Sequence, residues 1–179
     1  MIVKSEERLV EAVQNGHLQS FGTLYERYYG SMVTLAYSVL GDVQLSEDAA
    51  QEAFAIACRD LPKLKSKDKF AAWLGGICRN VARRMGRSKG KTVVLNEHVP
   101  AENQKEKYRN AVRQAVWKLR AVDREPLILR YYDNMPYNQI ASVLGVSPQA
   151  VHGRLTRAKR KIADYLKRNG FKGGDYETG

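Results

Sequence analysis

The chain has 179 residues, a hydrophobic share of 44% and a formal net charge of +11. This length allows one ordinary domain or two small ones, and the hydrophobic share is typical of a folded protein. No run of eighteen apolar residues occurs and the first residues lack a signal-peptide pattern, so we expect a cytoplasmic protein with no membrane insertion. The basic excess favours a polyanionic partner.

Charge is distributed unevenly along the chain. Residues 1–62 carry four Lys or Arg against nine Asp or Glu, residues 63–91 carry ten against one, and residues 92–179 carry sixteen against nine. The three net charges are therefore −5, +9 and +7, which add up to +11. An acidic first segment followed by a strongly basic one predicts two different binding faces.

The sequence lacks the residue spacings that metal binding or cofactor chemistry requires. Cys58 and Cys78 have neither a CxxC spacing nor a neighbouring histidine cluster, so we expect two free thiols and no zinc site. No GxxxxGK[ST] phosphate-binding motif occurs, and no spacing suggests a catalytic triad. The sequence therefore predicts no catalytic residue, no metal and no cofactor, and it assigns no role to either cysteine.

Apolar residues recur at intervals of three or four along most of the chain, which predicts an all-α fold. In the first half, helices are expected from Ser5 to Asn15, from Ser20 to Gly41, from a cap at Ser46-Glu47-Asp48 to Pro62, and from Phe70 to Arg87. The periodicity is lost between Ser88 and Gln104 and then returns. We expect two small helical domains joined by a flexible linker and followed by a disordered tail, with bounds of 1–87, 88–105, 106–170 and 171–179.

The most specific local pattern lies between Met135 and Ile162. Gly145 stands where a helix C-terminus needs a left-handed residue, and Ser147-Pro148 is typical of an N-cap followed by the first helical position. The pattern predicts a short helix and a long one joined by a three-residue turn, which is the helix-turn-helix arrangement. The DNA-binding candidates on its second helix are Ser147, Gln149, Ala150, His152, Gly153, Arg154, Arg157, Lys159 and Arg160.

Position along this recognition helix separates the expected roles. Gln149 and Arg154 lie toward the N-terminal half, where base edges are usually read. Lys159 and Arg160 lie further along and are expected to meet phosphates. The alternative is an ordinary helical hairpin with a solvated basic face.

A second basic region precedes the linker. Every second residue of a loop is a lysine, and arginines cover one side of the helix that follows. Two aromatic residues lie among these basic residues. The combination is typical of single-stranded DNA binding. The candidates are Lys63, Lys65, Lys67, Lys69, Phe70, Trp73, Arg79, Asn80, Arg83, Arg84 and Arg87. For Phe70 and Trp73 themselves, burial in the core is the favoured alternative.

The third helix has a different character. Glu47, Asp48, Gln51 and Glu52 form an acidic polar side, which favours a protein partner over nucleic acid. Capping and solvation are the alternative explanation for the first two of these residues.

Three sets of residues, in chain order, resemble the sigma-70 family and specifically its smallest, extracytoplasmic-function members. The run from Ser46 to Phe54 resembles the family's conserved-region-two helix. The resemblance to the family's promoter-melting helix lies at Phe70, Trp73, Leu74, Ile77 and Asn80. The resemblance to the family's region four lies at Leu129-Arg130-Tyr131-Tyr132, Tyr137, Ile140-Ala141, Leu144-Gly145-Val146, Val151, Arg154-Leu155 and Arg157-Ala158.

The resemblance implies a sigma factor that binds core RNA polymerase through its first domain. The region-two helix would dock on the polymerase clamp helices, with Glu47, Asp48, Gln51, Glu52 and Phe54 as the polymerase-binding residues. The recognition helix would read the −35 element of promoter DNA as duplex. The loop from Leu61 to Lys69 and the following helix would capture an unstacked base of the −10 element. An anti-sigma factor is implied as a further partner.

The chain also departs from the family pattern. Gln149-Ala150 stands where the family usually has Gly-Thr, His152 and Gly153 replace basic or polar residues, and Gln139 replaces an acidic one. The −35 sequence therefore does not follow from the resemblance. A helix-turn-helix regulator that acts without polymerase is the alternative function, and a recombinase or nuclease is disfavoured because only Asp68 is acidic within the basic block.

Overall fold

The computed structural model describes residues 5–88 and 104–171. Within these two ranges the chain is helical and contains no strand, which confirms the all-α prediction. The helices are α1 (Glu6–Gln14), α2 (Gln19–Leu40), α3 (Val43–Asp60), α4 (Phe70–Ser88), α5 (Gln104–Lys118), α6 (Ala121–Tyr132), α7 (Tyr137–Leu144) and α8 (Pro148–Arg168). None of these helices is long and apolar enough to cross a bilayer.

Helices α1 to α4 form the first bundle, in which α2 packs against the other three. Helix α2 ends at Gly41, which has a φ of 70° and whose amide donates to the carbonyl of Tyr37. This left-handed conformation costs glycine little, since it has no Cβ. The prediction that Gly41 ends the helix is confirmed.

Helix α3 begins earlier than the sequence pattern predicted. Asp42 is its N-cap, and the carboxylate accepts a 2.9 Å hydrogen bond from the amide of Leu45. Ser46, the predicted cap, is buried inside the helix, and its hydroxyl donates to the Asp42 carbonyl. The prediction was wrong because Asp and Ser are equally good caps, and the earlier one leaves Ser46 on the core side.

A lysine-rich loop connects α3 to α4 through two short 3-10 turns, Leu61–Lys63 and Lys67–Lys69. The side-chain amide of Gln14 in α1 donates to the carbonyls of Leu61 and Leu64, at 3.1 and 2.9 Å. These bonds satisfy two loop carbonyls and fix the loop on α1.

Helices α5 to α8 form the second bundle, with α8 packed against α5, α6 and α7. The two bundles also contact each other, since α2 packs on α6 and α4 packs on α7. One cluster of buried apolar side chains extends through both bundles. The residues 89–103 and 172–179, which make up most of the predicted linker and tail, lie outside the described ranges, so those predictions and the domain bounds stay predictions.

Candidate nucleic-acid interface

Helices α7 and α8 are joined by a short turn whose hydrogen bonds are all local. Gly145 has a φ of 66° and follows the last residue of α7, and the amide of Val146 donates a 3.0 Å hydrogen bond to the carbonyl of Ala141. The hydroxyl of Ser147 accepts a 3.1 Å hydrogen bond from the amide of Ala150 and so caps α8, with Pro148 at its first position. The predicted helix C-terminus and N-cap are both confirmed, and they orient α8 relative to α7.

The recognition helix α8 buries one side and exposes the other. Val151, Leu155 and Ala158 are at most 2% exposed and pack into the core. Gln149, His152 and Arg160 are exposed, whereas Arg154 is only half-buried. The remaining predicted contacts divide in the same way, with Ser147, Arg157 and Lys159 exposed and Ala150 and Gly153 half-buried. A Cβ at Gly153 would make only ordinary contact with Arg157, so the fold alone does not require glycine there.

Two cations of α8 are held by a buried carboxylate of α6. Asp123 accepts hydrogen bonds from Lys161 Nζ at 2.8 Å and Arg157 Nε at 3.3 Å. Burial alone would raise the pKa of Asp123, but the hydrogen bonds and charges of Lys161 and Arg157 outweigh burial and lower it. Arg157 therefore has a structural partner in addition to its predicted DNA role.

A second acidic residue of α6 faces the first bundle. Glu125 is 5% exposed, and its carboxylate lies 3.6 Å from Arg79 Nη1 and 3.9 Å from Arg83 Nη2, both in α4. Burial raises the pKa of Glu125, while the positive charges of Arg79, Arg83, Arg154 and Arg124 act in the opposite direction. Two arginines of α4 thus lie beside this carboxylate, and the charge of Arg154 in α8 also acts on it.

Several other cations of the predicted melting region also have acidic neighbours. Lys67 Nζ lies 2.9 Å from Glu11 of α1, Lys63 Nζ lies 3.6 Å from Asp60, and Arg84 pairs with Glu52 of α3. All three are exposed or partly exposed pairs, which solvent screens and which contribute little to stability. Lys65, Lys69, Asn80 and Arg87 are exposed.

The two aromatic candidates of this region differ in burial. Phe70 is 0% exposed and packs between the rings of Tyr28 and Trp73, so it offers no surface to a base in this conformation. Trp73 is half-buried. The core interpretation therefore holds for Phe70, and Trp73 is the one of the two with an accessible surface.

The acidic helix α3 presents its polar side to solvent in the first bundle. Asp48 and Gln51 are exposed, Glu47 and Glu52 are partly exposed. Phe54, the remaining predicted polymerase contact, is 3% exposed and packs against the rings of Phe21, Tyr25 and Tyr29. Its side chain supports the helix from the core side in this conformation.

The sequence pattern did not single out Asp123 and Glu125, although both are buried and charged. They lie in the run Asp123-Arg124-Glu125 near the start of α6, where acidic residues are common because they complement the helix dipole. Only the packing of α4 and α8 around α6 distinguishes them from solvated charges. Among the described residues, no group of His, Cys, Asp or Glu is arranged to hold a metal ion.

Taken together, the fold and the interface define a two-domain, all-helical protein with a helix-turn-helix. Comparison with family models extends this result. The model of Sigma-70 region 2 matches residues 24–92, and the model of Sigma-70 region 4 matches residues 109–162.

Relatives are similar over most of the chain. The "Probable RNA polymerase sigma factor RfaY" of Xanthomonas campestris is 32% identical over 84% of this chain, which covers 41% of that longer protein. The RNA polymerase sigma-H factor of Pseudomonas aeruginosa is 26% identical, with 92% of this chain and 95% of that protein covered. The extracytoplasmic-function sigma factor SigW of Bacillus subtilis is 23% identical, with 90% and 96% covered.

Solved structures support the same fold. The structure of CnrH in complex with the cytosolic domain of CnrY has a TM-score of 0.64 at 24% identity, with 93% of this chain and 100% of that chain covered. The sigma factor RpoE of Bartonella quintana, in complex with the anti-sigma factor NepR, has a TM-score of 0.54 at 21% identity, with 83% and 98% covered. The chain belongs to the sigma-70 family of RNA polymerase sigma factors and is of the extracytoplasmic-function type.

Proposed function

We propose that this sigma factor binds core RNA polymerase through the first bundle and reads promoter DNA with both bundles. The observation that carries the proposal is the separation of two kinds of surface. Helix α3 presents an acidic side with Asp48 and Gln51 exposed, whereas α8 presents polar and basic side chains from a capped helix-turn-helix. A polymerase subunit needs one surface for each partner, and a DNA-binding regulator needs only the second.

On the DNA side, α8 reads the −35 element in the major groove. Gln149, His152 and Arg154 stand in the N-terminal half of the helix, from which base edges are reached. Lys159 and Arg160 meet phosphates and add affinity without sequence information. The loop from Leu61 to Lys69 and helix α4 take up the −10 strand, with Trp73 as the accessible aromatic surface.

On the protein side, the partners are the clamp helices of core polymerase and an anti-sigma factor. Glu47, Asp48, Gln51 and Glu52 contact the clamp helices, and Phe54 holds α3 in place from the core. The protein acts in the cytoplasm, where its polymerase and DNA partners are found. It is not an enzyme, so strand separation draws on binding energy alone.

The test is co-elution of the purified chain with core RNA polymerase, followed by transcription of fragmented genomic DNA and mapping of the transcript starts. The expected result is a stable complex and initiation at a defined set of promoters that core polymerase alone does not use. The alternative regulator predicts tight, sequence-specific operator binding by the free chain and no complex with core polymerase. That outcome would overturn the proposal.

A further inference from the structure

Helix α1 precedes the part of the chain that matches the Sigma-70 region 2 model, which begins at residue 24. It nevertheless packs against both 3-10 turns of the lysine-rich loop from Leu61 to Lys69. This loop belongs to the surface proposed to take up the −10 strand. Helix α1 therefore supports a candidate DNA-binding loop from outside the matched region.

The last residue of α1, Gln14, holds the start of this loop. Its half-buried carboxamide donates from Nε2 to the carbonyl oxygens of Leu61 and Leu64, at 3.1 and 2.9 Å. The Leu61 carbonyl also accepts a 3.0 Å hydrogen bond from the amide of Leu64, so both of its lone pairs are used. One side chain thus fixes the first turn of the loop at two points.

Two further contacts connect α1 to the middle and the end of the loop. Lys67 Nζ lies 2.9 Å from the carboxylate of Glu11. The hydroxyl of Tyr28 donates to the carboxylate of Glu6, and the Tyr28 ring packs against Phe70, the first residue of α4, with the ring centroids 5.8 Å apart. The loop is therefore supported by α1 at its start and middle, and α1 is linked through Tyr28 to the residue that follows the loop.

The loop is held by its backbone, whereas most of its side chains face solvent. Lys65, Ser66, Asp68 and Lys69 are exposed. A loop that already has its bound shape loses less conformational entropy when it takes up a ligand. Conversely, the apparent affinity falls with the fraction of molecules in which the loop has another shape.

We propose that Gln14 is a positioning residue for −10 recognition, whose two hydrogen bonds hold the loop in the shape that captures an unstacked base. The inference rests on the proposed DNA-binding function of the loop. In this role Gln14 acts through the loop backbone and makes no DNA contact of its own. Its loss therefore weakens discrimination between −10 sequences and leaves core polymerase binding, which is assigned to α3, unchanged.

Two substitutions at Gln14 separate hydrogen bonding from space filling. Gln14→Met keeps the unbranched side chain and removes both donors, whereas Gln14→Glu keeps the shape and places carboxylate oxygens against the two carbonyls. Both are expected to loosen the loop, although a side chain that only filled space would tolerate them. Gln19→Met and Gln19→Glu make the same changes at an exposed glutamine at the start of α2 and are the controls.

Loosening of the loop is measured by hydrogen–deuterium exchange on the free, full-length chain. Amides between Leu61 and Lys69 are expected to exchange faster in both Gln14 variants, because local opening of the loop becomes more frequent. Exchange in α5 to α8 is expected to stay as in the wild-type chain. The Gln19 controls are expected to match the wild-type chain throughout.

The functional consequence is measured on the complex with core polymerase. The probes are two fluorescent fork-junction DNAs built from the strongest promoter found by transcript mapping, one with its own −10 non-template strand and one with that strand scrambled. Because both carry the same −35 element, the ratio of the two affinities reports −10 discrimination alone. This ratio is expected to fall on the order of tenfold in the Gln14 variants and to stay unchanged in the Gln19 controls.

An unchanged ratio or unchanged loop exchange in both Gln14 variants would overturn the proposal. So would an equal loss in the Gln19 controls, or a matching loss of affinity for core polymerase, since either would show a general effect on the first bundle. The proposed function fails by a different measurement. If the wild-type chain forms no complex with core polymerase, the sigma-factor role is contradicted whatever the exchange rates of the Gln14 variants show.

Discussion

The ammonium group of Lys161 in α8 donates a 2.8 Å hydrogen bond to the buried carboxylate of Asp123 in α6. This bond connects the C-terminal half of the recognition helix to a different helix of the same bundle. The orientation of α8 thus depends on its apolar side, on the turn at Gly145 and on the ion pairs of Asp123 with Lys161 and Arg157.

We predict that Asp123→Asn lowers the free energy of unfolding by about 1–2 kcal/mol at neutral pH, because a buried charge-assisted interaction is lost while its cationic partners stay partly hydrated. The folded pKa of Asp123 lies below its ordinary value of 3.8, so its stabilisation is fully present above that pH and is lost as the pH falls through the lower, folded pKa. Urea unfolding of both proteins at neutral and acidic pH measures this.

Asp164→Asn is the matched control, since Asp164 is an exposed carboxylate of α8, the helix that Asp123 contacts. Its effect is expected to stay within about 0.5 kcal/mol at any pH. A difference between wild type and Asp123→Asn that persists unchanged in acid would contradict the assigned role of the carboxylate.

Limited proteolysis tests the predicted domain organisation. Trypsin is expected to cut first within residues 88–105, where the apolar periodicity of the sequence is lost and Lys89 and Lys91 supply cleavage sites. Mass spectrometry of the early fragments identifies the site. First cuts inside Phe21–Leu40 with residues 88–105 protected would contradict the division into two domains.

Helix α3 gives a prediction for polymerase binding. Glu52→Lys is expected to weaken binding to core RNA polymerase, because it reverses a charge on the acidic side proposed to meet the clamp helices. Surface charges act strongly on association rates, so both rate constants are measured by a surface-based kinetic assay. Circular dichroism checks that helicity is retained.

Glu26→Lys makes the same charge reversal on the exposed side of α2, outside the proposed surface. Equal weakening by the two variants would mean that net charge, and not the position of Glu52, governs the interaction. The assignment of α3 to the polymerase would then be wrong.

Local patterns in the sequence predicted the helix-turn-helix accurately. The cap at Ser147 and the left-handed Gly145 are determined by residues within four positions of each other, so the sequence contains the necessary information. The start of α3 was missed because Asp42 and Ser46 are both good caps, and only burial against the first bundle decides between them.

The contacts across helices were beyond the reach of periodicity. Asp123 pairs with a residue 38 positions away, and Glu125 faces arginines of another bundle. In the sequence, Asp123 is an ordinary first-turn acid and Glu125 follows two residues later, so only the packing of α4 and α8 beside them distinguishes the two. The half-burial of Arg154 likewise depends on tertiary packing and not on local sequence.

Arg154 is the leading candidate for reading a base, and its position in the structure determines how the prediction must be tested. It stands in the N-terminal half of α8 but is half-buried, whereas Gln149 and His152 are exposed. The measurement therefore uses the complex with core polymerase on promoter DNA, where the helix is engaged.

Arg154→Ala is expected to cost about 1–3 kcal/mol on the cognate −35 site and to relax the preference at one base pair, because a bidentate contact to a base is lost. Lys159→Ala is the control and is expected to weaken binding to all sequences alike, lowering the slope of affinity against salt by about one unit. Equal losses of Arg154→Ala on cognate and scrambled sites would identify Arg154 as a phosphate contact. Base reading would then pass to Gln149 and His152, which the structure already presents to solvent on the same half of the helix.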